Sequence, residues 1–439
     1  MRISGLAGRE SVRLLAVAVV AAGAAVAVVE ASSGGSSHGS STSASAKGGA
    51  GSTSLPGSGP AGLTSSKPGP GTVAAGAAVI RSLRQGVMKV VIDRPTDPLL
   101  SEQNTSIAQG AALAADELNA AGGLSHHVRV KLVTETLDGL SPSAVRARLS
   151  AQGAAVLILP CDTASEPSLA AAGAAFGMLM LAPCNPDATA ARRYPTYWAV
   201  GASSTAEAAA MTTYLASDNY KHMFVVGATG TGYSEELANA FRGAARAHGI
   251  VVTGSASVST SSPDFSSVVH AIESTRPLPD GVFTTLPPML ASRLISSIAA
   301  KGLHSTYLGS TLMDTPFSAS SAAKTLENTY FVSYGFPRVD AAASRFAADY
   351  RSDFGRPPVG SFPGLGFETV RLLAAAAQKG GSAAPNVIQR ALTGGLTLTG
   401  VALASRTYAG GEHAPVGDVG ISKVFTGELL QVLATTPPA

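Results

Sequence analysis

From Lys89 onward, apolar runs of strand length alternate with Ala-rich stretches of helical length, and no other property of the chain limits its fold as much. KVVI at Lys89 precedes SIAQGAALAADELNAAGG; VRVKLVTETL precedes SPSAVRARLSAQG; AVLILP precedes SEPSLAAAGAAFG; MLMLAP leads through a polar loop to YPTYWAV. This repeated order predicts a parallel sheet with helices on both faces, because parallel neighbours can be joined only by a long crossover. In the first helix Ile107, Ala111, Ala114, Ala115 and Leu118 fall at helical spacing, and Gly122-Gly123 supply the positive φ that ends it.

The alternation restarts at AAAMTTYLASDNY. HMFVVGA, IVVTGSASV, DGVFTT, STYLGS and TYFVSYGF read as strands, separated by EELANAFRGAARAHG, FSSVVHAIES, MLASRLISSIAAKG and a loop. Two consecutive α/β units of about 115 and 130 residues are expected. A third segment is helical from Ala341 to Tyr350 and again in FETVRLLAAAAQKG and PNVIQRALTGG. It has too few strands for a sheet of its own, so its helices are expected to pack on the earlier units. The roughly 350 residues after the N-terminal region exceed what one hydrophobic core usually supports, which agrees with two lobes.

The N-terminal region has a different character. Arg2, Arg9 and Arg13 precede the apolar run Leu14–Val29, and Val29-Glu30-Ala31 ends in small residues, the layout of an export signal. At 16 residues the run falls short of the roughly 20 that span a bilayer, so cleavage is expected over anchoring, with an N-terminal membrane tether as the other outcome. No cysteine lies near it, so a lipid anchor has no thioether to form on. From Ser32 to about Gly76 the Ser, Gly, Pro, Thr and Ala composition predicts a disordered linker, unable to bury enough apolar surface to offset its ordering entropy. Eight Lys/Arg fall at or before Lys89 against Glu10 and Glu30, an excess of 6 positive charges, so the net +3 of the chain leaves −3 for residues 90–439. The basic charge belongs to leader and linker, which removes the case for nucleic-acid binding.

GAALAADELNAAGG, the strand ending LPCDT, the strand ending LAPCNPDAT, VVGATGTGYSEELANAFRGAARAHG, PDFSSVVHAIES, DGVF followed by IAAKGLHSTYLGS, and GFETVRLLAAAAQ together carry a family likeness. In order and spacing they resemble the type I periplasmic solute-binding proteins of branched-chain amino acid ABC transporters, the leucine/isoleucine/valine-binding group. The resemblance covers about Lys89 to Val432. It implies an α/β fold of two Rossmann-like lobes with parallel central sheets, joined by a three-crossover hinge near Gly201–Thr205, Ser333–Pro337 and Gly400. Ligand is expected in the interlobe cleft, which agrees with the tendency of open α/β sheets to bind ligands at the carboxyl ends of their strands. The division expected is a leader over 1–31, a linker over 32–86, a first lobe of 87–202 and 335–399, a second of 203–334 and 400–433, and a tail over 434–439. The implied partners are a small-molecule ligand and an ABC permease, at the cell envelope or outside the cell, with no cofactor, no metal and no catalytic residue. The same fold tethered by its N-terminal helix would instead serve as a ligand-sensing receptor domain.

LPCDTASEP and LAPCNPDAT each follow a strand and open a helix, so their backbone N–H groups face the expected cleft and offer a seat for a carboxylate. By the resemblance Asp162, Thr163, Ala164 and Ser165 in the first, and Cys184 and Asn185 in the second, are ligand contacts. The plainer reading makes them helix starts, with Ser165 or Thr163 as cap and Pro167 and Pro186 in the opening turns. Asp162 stands where the family has a hydroxyl residue, and its carboxylate repels an anionic ligand unless it turns away or pairs with a cation. Tyr233 in GTGYSEE matches a cleft tyrosine, with a core tyrosine as the alternative. The family's amino-acid binders hold the ligand ammonium with a tyrosine after DGVF and an acid after the LGS strand. Here those places read Thr284, Thr285, Leu286, Pro287 and then Ser310, Thr311, Leu312, with Asp314 only nearby. A small amide, a carboxylate or an aromatic acid is thus as well matched as a branched amino acid, with Thr285 and Thr311 as contacts. Phe362 matches an aromatic at the cleft mouth, and Glu102 or Gln103 lies in the loop after the first strand.

Cys161 and Cys184 are the only cysteines. If their apolar runs are the third and fourth strands of the first lobe, the two strands lie about 4.8 Å apart and their equivalent ends carry the thiols, a spacing that a disulfide accepts. Such a bridge stabilises by roughly 3 kcal/mol in the chain-entropy model; the alternative is two buried thiols. Enzyme chemistry finds little support. His126-His127 has no metal-ligand partner at useful spacing, GATGTG lacks the full dinucleotide spacing, and there is no G-x-S-x-G elbow, P-loop or HExxH. Trp198 reads as core or hinge packing.

Overall fold

A computed structural model describes residues 76–435 apart from 162–164, 185, 187, 262, 336–340, 410–412, 426 and 427. It begins with α1 (Ala77–Arg84), inside the range expected to be linker; Val79 and Leu83 bury against the first lobe, which gives this turn of chain a reason to fold. There follow β1 (Val87–Asp93), α2 (Ser101–Ala120), β2 (Arg129–Glu135), α3 (Pro142–Gln152), β3 (Val156–Ile158), α4 (Glu166–Ala175), β4 (Leu179–Ala182), α5 (Ala188–Arg193) and β5 (Tyr197–Ala199). These strands form one parallel sheet in the order β2-β1-β3-β4-β5. Because side chains alternate across a strand, the sheet feeds two cores. Val90, Ile92, Val156 and Ile158 join one core, whereas Val91, Leu157, Leu159 and Met180 join the other.

The second alternation runs α6 (Ser204–Ser217), β6 (His222–Ala228), α7 (Gly232–Ala247), β7 (Val251–Val258), α8 (Phe265–Ser274), β8 (Gly281–Thr284), α9 (Pro288–Ala299), β9 (Thr306–Gly309) and β10 (Tyr330–Ser333). The chain then returns to the first lobe with α10 (Ala341–Phe354), α11 (Phe362–Gly380) and α12 (Pro385–Thr393). It ends in β11 (Leu396–Leu398), β12 (Arg406–Tyr408), β13 (Val416–Gly417), β14 (Val419–Phe425) and β15 (Glu428–Thr435). The second sheet has the order β15-β14-β10-β9-β8-β6-β7, parallel from β7 to β10, with β14 and β15 added antiparallel.

Two features differ from expectation. The last segment does carry strands: β11, β12 and β13 form a small antiparallel sheet, and β14 and β15 complete the second lobe. The final passage to the second sheet comes at Val419 rather than near Gly400, because Leu398, Ala402, Leu403 and Tyr408 bury in the first core. The helices of the third segment pack on the first lobe through an unusually close crossing of α11 and α2. A Cβ on Gly110 would fall 1.8 Å from the Pro363 carbonyl oxygen, and one on Gly366 would fall 2.0 Å from the Ile107 carbonyl oxygen. Glycine at both places lets the two backbones touch.

Candidate functional site

The carboxyl ends of the strands of both lobes face one another across a cavity of about 140 Å³. Asp97, Leu99, Leu100 and Cys161 wall it on the first-lobe side; Ala228 to Thr231, Tyr233, Thr260, Thr285, Pro287 and Leu312 wall it on the other. The segment after β1 brings the lobes together. Leu99 packs against one core of the second lobe and Leu100 belongs to the other. Glu102 Oε2 accepts from the Phe317 backbone N–H at 2.9 Å, across the same junction. A larger groove of about 550 Å³ lies along α2 and the edge strand β2, on the outside of the first lobe. There Asn119 bonds both the N–H and the carbonyl of Val130 at 2.8 Å, so the strand edge is already blunted.

On the first-lobe wall, Cys161 and Cys184 form a disulfide with Cα atoms 5.5 Å apart, at the ends of the adjacent strands β3 and β4. The Cys161 N–H donates to Asn104 Oδ1 at 2.8 Å, which ties the same turn to α2. Ser165 occupies the N-cap position of α4 without capping it, and its Oγ is buried with no partner among the described residues.

The second-lobe wall is built from hydroxyls over buried carboxylates. Ser234 Oγ accepts from the Ala228 N–H at 2.7 Å and pairs with Thr285 Oγ1 at 2.5 Å. Tyr233 donates its hydroxyl to Glu207 Oε2 at 2.8 Å, and Thr311 Oγ1 donates to the same oxygen at 3.2 Å. Tyr334, beside the second crossover, donates to Glu207 Oε1 at 3.4 Å. Desolvation outweighs these donors, so the fully buried Glu207 carboxyl is pushed up to about 7, against the lowering effect of the bonds from Tyr233 and Thr311. The Tyr233 phenol is raised as well, first by burial and then by the charge of Glu207. Asp314 lies deeper. Its Oδ2 accepts from the Ser361 N–H at 2.9 Å and from Ser361 Oγ at 2.5 Å, and burial pushes its carboxyl up to about 6.

The family profile described as periplasmic binding protein matches residues 99–428. The chain belongs to the periplasmic binding protein family. Among solved structures, the leucine-binding protein LivK of Thermotoga maritima is similar over 80% of this chain and 99% of its own, at 17% identity and a TM-score of 0.71. LivJ, the branched-chain amino acid transporter substrate-binding protein of Streptococcus pneumoniae in complex with isoleucine, is similar over 79% of this chain and 100% of its own, at 18% identity and a TM-score of 0.68. An ABC transporter solute-binding protein of R. palustris in complex with benzoate is similar over 80% and 97%, at 16% identity and a TM-score of 0.69. At these identities the likeness is one of fold, two α/β lobes of the type I periplasmic binding class. No curated protein matches the chain.

In this periplasmic binding protein the residues expected at the site are distributed unevenly. Tyr233 and Thr285 line the cavity, and so does Cys161, expected only as half of the disulfide. Thr311 lies directly behind Tyr233, with oxygens 2.9 Å apart. Cys184 is buried in the first core with the disulfide. Glu102 stands at the lobe junction rather than on the cavity wall, and Phe362 is buried at the start of α11, edge to face with Tyr334 at a centroid distance of 6.1 Å. Asp162, Thr163, Ala164 and Asn185 lie outside the described residues. Trp198 is fully buried in β5, stacked on His413 at 4.3 Å. Among the described residues no group of three or more His, Cys, Asp or Glu could hold a metal ion, and no helix is long and apolar enough to cross a membrane.

Two residues of this periplasmic binding protein escaped sequence reasoning. Asp97, in DRPTDPLLSE, had a weak signal, its position just after a strand end. Glu207, in STAEAAAM, had one in hindsight: a single carboxylate in an otherwise apolar helical stretch. Its partners come from three distant segments, which no local pattern links.

Proposed function

We propose that this protein is an extracytoplasmic, non-enzymatic solute-binding component of an ABC transporter. It captures a small amino-acid-like, amide or carboxylate ligand between its lobes, closes on it by hinge motion and delivers it to a permease. The observation that carries this reading is the cavity walled by both lobes at the strand ends, with hydroxyl groups and apolar side chains together on its surface. Tyr233, Thr285 and, behind them, Thr311 are the second-lobe residues assigned to the ligand. Asp162, Thr163, Ala164, Ser165 and Asn185 are assigned to the first-lobe turns, and Phe362 to the packing beside Tyr334. Glu102 acts as a clasp on closure rather than as a ligand contact. Export by the N-terminal leader accounts for a disulfide in this fold.

A thermal-shift screen over amino acids, amides, short carboxylates and aromatic acids tests capture directly, because a ligand that binds the folded state raises the melting temperature. One class is expected to raise it at micromolar to millimolar concentration; no shift in any class would sink the reading. N-terminal sequencing of the mature chain separates a cleaved leader from a retained tether.

A further inference from the structure

We infer that Asp97 sets the polarity of the ligand, and that this site takes a head group carrying hydrogen-bond donors, a primary amide or an ammonium, in preference to a bare carboxylate. The inference rests on the proposed solute-binding reading of the cavity. Among the described residues that line it, Asp97 is the one charged group, and none is Lys, Arg or His. The aspartate is half-buried in the turn between β1 and α2. Its Oδ1 accepts from the Leu99 N–H at 2.8 Å, which fixes the side chain, and Oδ2 has no protein partner among the described residues.

A carboxylate only accepts, whereas the hydroxyls of Thr229, Thr231, Thr260 and Thr285 on the opposite wall can donate or accept. A ligand therefore meets a fixed acceptor on one side and adaptable groups on the other. An amide satisfies both, with its NH₂ toward Asp97 and its carbonyl toward the threonines; an ammonium gains a charge-assisted bond. A bare carboxylate must instead be desolvated beside a like charge, with no cation among the described lining residues to offset it. Thr285 and Thr311 do not supply the acid expected on the second lobe for an ammonium. Asp97 supplies one from the first lobe.

The test uses the full chain and six probes of matched shape: isovaleramide, isoamylamine and isovalerate, and benzamide, benzylamine and benzoate. Thermal shift and calorimetry are run on the wild-type protein and on Asp97→Asn, which keeps the Oδ1 acceptor for Leu99 and so keeps the turn. Amide or amine is expected to bind the wild type and carboxylate to bind it least. In Asp97→Asn, amine affinity is expected to fall on the order of tenfold and the carboxylate to gain, a reversal that a loss of turn structure would not produce. A wild-type preference for isovalerate or benzoate, or amine affinity untouched by Asp97→Asn, overturns the inference and leaves solute capture standing. Absence of binding by all six, together with a negative result in the wider screen, overturns solute capture and this inference with it.

Discussion

The two walls of the cavity are held in place by different physics. On the first-lobe side the constraints are covalent and steric: the Cys161–Cys184 bridge joins β3 to β4, and the glycine crossing of α2 and α11 leaves no room for adjustment. On the second-lobe side the constraints are hydrogen bonds among hydroxyls and the buried carboxyl of Glu207. Covalent and steric constraints do not respond to solution conditions short of reduction, while a buried carboxyl responds to pH. The first lobe is thus a fixed platform and the second an adjustable wall, and each prediction below attacks one side of that contrast.

The largest effect is expected from the bridge. Replacing Cys161 and Cys184 together by serine should cost about 3 kcal/mol in denaturant unfolding, from the entropy returned to the unfolded chain. A loss below about 0.5 kcal/mol would mean that the platform does not depend on its staple. Next, Gly110→Ala must push a Cβ against the Pro363 carbonyl and so separate α2 from α11. A loss of about 2 to 3 kcal/mol is expected, seen as a lower melting temperature, whereas Gly243→Ala, on an exposed helix face with open space around it, should change little.

On the adjustable side, the folded Glu207 carboxyl, at about 7, lies above its ordinary value of 4.5. Its contribution is present in full below pH 4.5 and is lost as pH rises through 7, because the ionised form is the one that burial penalises. Wild-type stability should fall between pH 5 and pH 8 by about 2 kcal/mol more than that of Glu207→Gln. Asp314, raised to about 6, adds a smaller loss that both proteins share. Parallel pH curves for the two proteins would remove Glu207 as the source. The smallest effect is expected at the junction. Glu102→Ala removes one charge-assisted bond across the lobes, worth about 1 kcal/mol, and should weaken the affinity of any captured solute several-fold, by calorimetry, with little change in the melting temperature of the ligand-free protein.

The same contrast explains what could be read in advance. Strands such as β3 and β4, buried on both faces, appear as unbroken apolar runs, and their adjacency was enough to pair Cys161 with Cys184. The C-terminal strands were missed because Gly420, Ser422 and Lys423 interrupt the apolar residues of β14 although its first four positions are buried, and because no helix separates it from β15, where Leu429 is buried while Leu430 beside it is exposed. Their identity as strands comes from pairing with β10, a long-range event. α1 was hidden by the low-complexity stretch that leads into it. Tyr233 and Thr285 stand on elements whose ends were legible, and both line the cavity. Glu207 was not legible, since an acid in an Ala-rich helix reads as a solvated face until Tyr233, Thr311 and Tyr334 fold over it.

The return of the chain to both lobes after β10 also bears on the order of events in time. Strands of the first lobe are complete by residue 199, yet the core they face needs α11 and α12; the parallel strands of the second are complete by residue 333, yet β14 must pair with β10 to finish that sheet. The first-lobe core around Val91, Leu157 and Met180 draws only on residues up to Tyr197, whereas the core on the other face of that sheet and both cores of the second lobe include residues from the last quarter of the chain. Contacts of such long sequence separation slow folding, so three of the four cores are left to form late, after the first-lobe strands have been made.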